Sequence, residues 1–338
     1  MKRTFQYSLE NLRGLAILFV MFSHFRSFHA LGDIGKYIYF FVSEATSWFV
    51  FLSGYFFFHI EKNRFQYRDY LGKKLKYVIL PYLILSVPAI LAGIYLGRDQ
   101  LLGISRTAYA CWSLVVGGAM VVPMWFVPMI LIFFLFSPVF IRIANSRLVY
   151  IIAIAGIVLS LFTFRPLENL NPGLSFLHFL GFYLLGLAFA RASEITDMVK
   201  SLRLSLPIIL SGSLGFVLAI WLFDDVARYD MGFYDAFGMF NVKQFGKLSL
   251  LVALFFFFDK FLFRKNRFLG HVAEISFGLF FIHGFFMIIF LKLVTMLGPL
   301  PPVVSLFSEI IVVVGFSIIA IHFLKFILRK WSRYVIGC

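Results

Sequence analysis

The sequence predicts an all-α, polytopic integral membrane protein of about ten transmembrane helices. Three observations carry that prediction. The composition is 61% hydrophobic and only 14% charged, with a mean hydropathy of +0.92, too little polar surface for a water-soluble domain of 338 residues. The apolar stretches run long and continuous, which suits helices rather than alternating barrel strands, because lipid offers the backbone no hydrogen-bond partner. The basic residues, finally, fall unevenly on the loops between those stretches.

Taken in chain order, apolar runs bounded by charges or Pro/Gly breaks predict helices near 12–31, 38–60, 77–96, 122–141, 148–164, 174–191, 204–223, 247–263, 273–297 and 303–326. The first run leads into His24 and Arg26 without a small-residue cleavage site, so it is expected to stay as a helix rather than be removed as a signal peptide. With the N-terminus in the cytoplasm, 21 Lys and Arg lie on the cytoplasmic side and 7 on the other: Lys36, Arg98, Arg106, Arg165, Arg228, Lys243 and Lys247. Arg13, Arg26 and Lys292 fall within spans. This bias places both termini in the cytoplasm. It also accounts for the net charge of +15 without nucleic acid, since the basic residues are spread over loops rather than gathered on one face.

The longest non-spanning pieces are 97–121 and 224–246, so residues 1–338 read as one transmembrane domain with no soluble domain and no internal repeat. Cys111 and Cys338 fall on opposite sides of the membrane and are not expected to pair.

Polar groups inside spans are where chemistry is expected. Arg13 and His24 are eleven residues apart, about 20° from eclipsed and about 16 Å along a helix axis. They share a face at two depths, Arg13 near the cytoplasmic end and His24 toward the outer half. Taken alone, Arg13 is also what a snorkelling anchor at a cytoplasmic helix end looks like. Glu44 and Glu309 are the acids well inside spans. Their depths match that of His24, and the short connection between the first two spans makes Glu44 the expected partner of His24; a protonated Glu44, or one in contact with Arg26, is the competing expectation. His283 sits about mid-span and either lines the same cavity or is simply packed and hydrogen-bonded. Arg26 and His29 lie nearer the outer end of the first span, where an acceptor would arrive. No metal site is expected: His24 and His29 are five apart, off the i, i+4 spacing of paired ligands, and no His-Glu-x-x-His occurs. A Gly-x-Ser-x-Gly nucleophile elbow is also absent. The segment Asp224 to Lys247, with Asp224, Asp225, Asp230, Asp235 and Tyr229, Phe233, Tyr234, Phe237, reads either as a sugar-binding rim or as an interfacial aromatic belt.

Asn11-Leu12-Arg13-Gly14-Leu15-Ala16-Ile17 followed by His24 resembles the Arg-x10-His signature in the first helix of the bacterial membrane acyltransferase 3 family, whose members O-acylate surface polysaccharides, lipid-linked glycans and antibiotics. Further stretches resemble the family in the expected order: Phe49-Val50-Phe51-Leu52-Ser53-Gly54-Tyr55, Trp125-Phe126-Val127-Pro128, Phe182-Tyr183-Leu184-Leu185-Gly186, and Ser276-Phe277-Gly278-Leu279-Phe280-Phe281-Ile282-His283, with Phe280 where Tyr is usual. The resemblance implies a multi-pass enzyme of the bacterial inner membrane with no bound cofactor. Its donor would be acyl-CoA, acetyl-CoA first among them, and its acceptor a sugar hydroxyl of a polysaccharide or lipid-linked glycan. Membrane lipids and a polysaccharide assembly complex are the implied surroundings. In that reading His24 is the general base, because a hydroxyl attacks a thioester only as its proton is removed. Arg13 binds the donor and Glu44 orients the base, while Arg26, His29, His283, Trp125 and Tyr55 bind substrate. The competing function is a polytopic transporter or flippase of a lipid-linked glycan, with the buried His and Glu as proton or substrate sites.

Overall fold

A computed structural model describes residues 7–117, 122–166, 169–195, 202–222 and 240–338. The described residues are almost entirely helical and contain no strand. In chain order the principal helices are α1 (Tyr7–Phe22), α2 (Gly32–Val42), α3 (Thr46–Glu61), α4 (Tyr67–Tyr95, with a π turn at Leu75–Ile79), α5 (Arg106–Val116), α6 (Phe126–Leu135), α7 (Ser137–Asn145), α8 (Val149–Leu161), α9 (Pro172–Ile195), α10 (Leu202–Leu222), α11 (Val242–Phe261), α12 (Arg267–Glu274), α13 (Ser276–Leu297), α14 (Pro302–Glu309) and α15 (Phe316–Leu328, joined to α14 through a π turn). Shorter turns lie at Arg98–Leu101 and Ser332–Val335.

Among the described residues six helical segments are long and apolar enough to cross a membrane, and a seventh if Pro123–Leu135 and Ser137–Asn145, bent by 58°, count as one broken span. These seven match seven of the predicted runs. The other three are helices too, but α1 has 16 residues, α8 has 13, and α11 carries Lys243, Lys247, Asp259 and Lys260.

The first predicted span, 12–31, is not one helix. α1 stops at Phe22, and Ser23 begins its termination by turning its hydroxyl back onto the Val20 carbonyl at 2.7 Å. His24 and Phe25 close tighter three-residue turns, and the chain re-enters a 3₁₀ helix at Arg26–Leu31. The second predicted span is likewise broken, at Ser43–Ala45 between α2 and α3, where Glu44 has φ +60°.

The glycine-containing motifs are explained by helix contact. A Cβ on Gly54 of α3 would lie 2.2 Å from the Tyr183 carbonyl oxygen of α9, and one on Gly186 of α9 would lie 2.1 Å from the Phe51 carbonyl oxygen of α3. The two glycines thus let α3 and α9 meet backbone to backbone from both sides, as small residues do in lipid, where apolar surface alone does not drive association. Gly54→Ala is therefore expected to destabilise the protein by about 1–3 kcal/mol, read as a lowered melting temperature in detergent with membrane insertion retained; an unchanged melting temperature would show that the contact is dispensable. Asn11 and Gly14 seat the other end of the bundle. The Asn11 amide donates to the Leu262 and Arg264 carbonyls, each at 2.9 Å, and a Cβ on Gly14 would lie 2.2 Å from the Leu269 oxygen of α12. This docking holds α1 against α12 and leaves the intervening Arg13 half-buried.

Candidate active site

His24 lies in the break after α1, half-buried, and its ring sits alongside that of His283 with centroids 5.6 Å apart and planes at 26°. His283 is fully buried on α13. Its Nδ1 is 2.7 Å from the Leu279 carbonyl. A carbonyl only accepts, so Nδ1 carries the proton, and the neutral ring keeps Nε2 as a lone pair with no hydrogen-bond partner. Two imidazoles from opposite ends of the sequence are thereby brought together.

A third element fixes His24 in place. The Glu309 carboxylate, fully buried at the end of α14, accepts from the backbone N–H of Arg26 at 3.1 Å, from the N–H of Ser27 at 3.2 Å and from the Ser27 hydroxyl at 2.6 Å. Those N–H groups open the 3₁₀ helix and have no intrahelical acceptor, so a carboxylate borrowed from another helix caps them. Glu309 is thus a cap for the segment that follows His24. The Arg26 side chain is exposed, and His29 is exposed beside Tyr39 with ring centroids 5.9 Å apart.

Glu44 is buried, but its carboxylate is engaged by cations rather than by His24. Oε1 is 2.6 Å from a terminal guanidinium nitrogen of Arg165 and 3.6 Å from Nζ of Lys243. Arg165 is held in turn by Asn169, to which its Nε donates at 2.9 Å, and by Trp125, whose ring centroid lies 5.1 Å from the guanidinium carbon. In place of the expected Glu44 to His24 pair, Glu44 forms an ion pair with Arg165, a residue counted among loop charges in the sequence. Glu44, Arg165 and His283 all lie within electrostatic reach of His24.

The break at Glu44 is itself built. A left-handed φ costs a residue with a Cβ about 1–3 kcal/mol and persists where surroundings over-determine it. Here Ser47 donates both its N–H, at 3.0 Å, and its hydroxyl, at 2.7 Å, to the Glu44 carbonyl. Lys247, fully buried, donates to the Phe40 carbonyl and, at 3.0 Å, to that of Phe41 at the end of α2, where carbonyls lack partners and a cation is favoured. Lys243 and Lys247, one turn apart on α11, clamp the break together.

The remaining expected residues are dispersed. Arg13 is near the middle of α1, nine residues before its end at Phe22, within electrostatic range of Glu10, Cys338 and Lys74. Trp125 reaches the site through Arg165, and Phe126 extends that wall to Phe280, 5.1 Å away between centroids. Tyr55 is buried deeper in α3, with its ring near Phe51, His59 and Phe255, and is not brought to His24. The acidic and aromatic residues Asp224 to Phe237 lie outside the described residues; of that stretch the structure describes its end, where Lys243 and Lys247 prove to be buried cluster residues. Four groups missed in the sequence belong here: Arg165, Lys243, Lys247 and His178, the last fully buried on α9 across a small cavity from Glu44. Among the described residues no group of three His, Cys, Asp or Glu side chains is placed to hold a metal ion, and both cysteines are free thiols.

A family model described as an acyltransferase domain matches residues 6–322. No curated protein and no solved structure matches the chain. Spanning nearly the whole sequence, from the docking of α1 to the helix after Glu309, the match settles the ancestry of this bundle: the chain belongs to the acyltransferase 3 family and is a multi-pass membrane acyltransferase.

Proposed function

We propose that the protein moves an acyl group, acetyl by our reading, from cytoplasmic acyl-CoA to a sugar hydroxyl of a cell-surface polysaccharide or lipid-linked glycan, at the bacterial inner membrane. The observation that carries this reading is the placing of His24. It stands outside the helix that leads to it, half-buried, beside a second histidine whose tautomer is fixed by a backbone carbonyl. An imidazole there can take the proton of an acceptor hydroxyl as its oxygen attacks the thioester carbonyl. The tetrahedral intermediate then collapses, the carbon–sulfur bond breaks, and the proton held by His24 leaves with the coenzyme A thiolate. Arg13, about 13 Å along the axis from the end of α1 that precedes His24, suits the donor's phosphates at the cytoplasmic mouth, since guanidinium is always charged and matches phosphate geometry.

The buried cluster also supports the orientation with both termini in the cytoplasm. Arg165, Lys243 and Lys247 are consumed by Glu44 and the end of α2, so four of the seven basic residues assigned to the outer side remain to offset the 21 inside. Family membership favours transfer over transport.

The test compares the acyl content of surface glycans, by mass spectrometry, in a deletion strain with and without the wild-type gene restored. Loss on deletion and recovery on complementation are expected. Unchanged acylation in the deletion strain would overturn the reading.

A further inference from the structure

The small cavity beside Glu44 has a hydrogen-bonding pattern that asks for a particular kind of group. Its walls include Glu44, Arg165, His178 and Gln244. His178 Nδ1 is 2.6 Å from the Thr163 carbonyl, so Nδ1 carries the proton and Nε2 of the neutral ring is a lone pair. Gln244 donates through its amide nitrogen to the His178 carbonyl at 3.2 Å, which leaves its amide oxygen turned the other way. Glu44 meets both of its cations with Oε1. Glu44 Oε2, His178 Nε2 and Gln244 Oε1 are consequently all buried and without a hydrogen-bond partner. All three are acceptors. Leaving such atoms unpaired costs about 1–3 kcal/mol each, more for the charged one, so the cavity is complementary to an O–H donor. It has room for about one water-sized group, which admits a hydroxyl arm of a sugar but not the ring. The mouth is formed by Phe164 and Arg165, both only half-buried, and Arg165 is within electrostatic reach of His24.

We propose that this cavity is a specificity subsite that receives a non-reacting hydroxyl of the acceptor sugar, with His178 Nε2 accepting its one proton, and so selects which neighbouring hydroxyl faces His24. The inference rests on the acyl-transfer reading above and deepens it. No bond is made or broken in the subsite. A sugar lacking that hydroxyl leaves the His178 acceptor without its donor, the situation in which binding sites discriminate most strongly.

The experiment uses the full chain in lipid nanodiscs with acetyl-CoA and the unacylated surface polysaccharide isolated from the deletion strain. It reads kcat and KM for the polysaccharide, and the position of the new ester by NMR. His178→Phe, which fills the cavity with an apolar ring, is expected to raise the polysaccharide KM at least tenfold, with the change falling on KM rather than kcat, and to scatter the ester over more than one hydroxyl. Gln244→Leu, which leaves the His178 bond to Thr163 in place, is expected to shift both readouts in the same direction and carries the test if His178→Phe does not fold. Unchanged KM and unchanged ester position in the folded variants would overturn the subsite and leave the cavity as a water site. A fall in kcat at constant KM would overturn it in favour of His178 as a proton acceptor. Absence of transfer by the wild-type protein would instead overturn the reading beneath it, so the two failures are distinguishable.

Discussion

Replacing His24 by alanine is expected to lower acyl transfer by about 10²- to 10⁴-fold, the range that a positioned general base contributes, or roughly 3–5 kcal/mol of transition-state stabilisation. The effect should fall on catalysis and spare the fold. His24 lies outside α1, is half-buried, and its backbone, which the substitution leaves in place, makes the turn with Met21 at 3.2 Å. Melting temperature in detergent is therefore expected to stay near the wild-type value. The KM for acyl-CoA is expected to stay as well, because Arg13 lies about two and a half helical turns before the end of α1 that precedes His24. His283→Ala is expected to cost less than His24→Ala, since His283 meets substrate-side groups through its stacking on His24 and is fully buried. Retention of more than a tenth of wild-type transfer by His24→Ala, at normal expression, would remove His24 from the role of base.

The second large effect concerns stability. Arg165→Ala removes the closest partner of a buried carboxylate, and breaking a buried pair by deleting one partner costs about 3–5 kcal/mol. The side chain of Arg165 is 26% exposed and Lys243 stays at 3.6 Å, so the lower end of that range is expected. The loss includes the guanidinium stacked on Trp125, which makes Arg165→Lys an incomplete rescue: an ammonium has no planar fork with which to meet Glu44, Asn169 and an indole face at once. Thermal unfolding of Arg165→Ala, Glu44→Gln and the double variant tests the pairing. The double variant is expected to be more stable than the sum of the single losses predicts, because it no longer buries an unpaired charge. Strict additivity would show that the pair contributes nothing beyond two independent side chains.

Much of this arrangement is legible in the sequence, and the reasons differ residue by residue. Arg13 and His24 stand out because lipid does not tolerate them without cause, and the glycine motifs stand out because helices meet closely only through small residues. Span existence follows from hydropathy, whereas the breaks at His24 and Glu44 do not, since the polar residues at each, Ser23 to Ser27 and Ser43 to Ser47, are short interruptions with apolar runs on both sides. The partner of Glu44 was beyond reach for another reason. Arg165 is 121 residues away, and a basic residue at a span edge reads as a topological anchor, so Arg165, Lys243 and Lys247 are absorbed into a charge count. A signal was nevertheless present for three of the four missed groups. Lys243 and Lys247 lie four apart at the start of one helix and hence on one face, and His178 falls inside a predicted span, where the reasoning that selects His24 applies equally.

The cap supplied by Glu309 has a consequence in time. The chain emerges from the ribosome in order, so His24 is made near the start of synthesis and Glu309 some 280 residues later, the separation recorded in their hydrogen bonds being 282 and 283 residues. Until α14 is in the membrane, the N–H groups of Arg26 and Ser27 have water or lipid for company, and His283 has not yet arrived either. A nascent or truncated chain would thus hold its histidine in an unanchored segment. The proposed base follows the first helix, but its neighbours arrive only with α13 and α14, which in that reading delays the chemistry until the bundle that must contain it is complete.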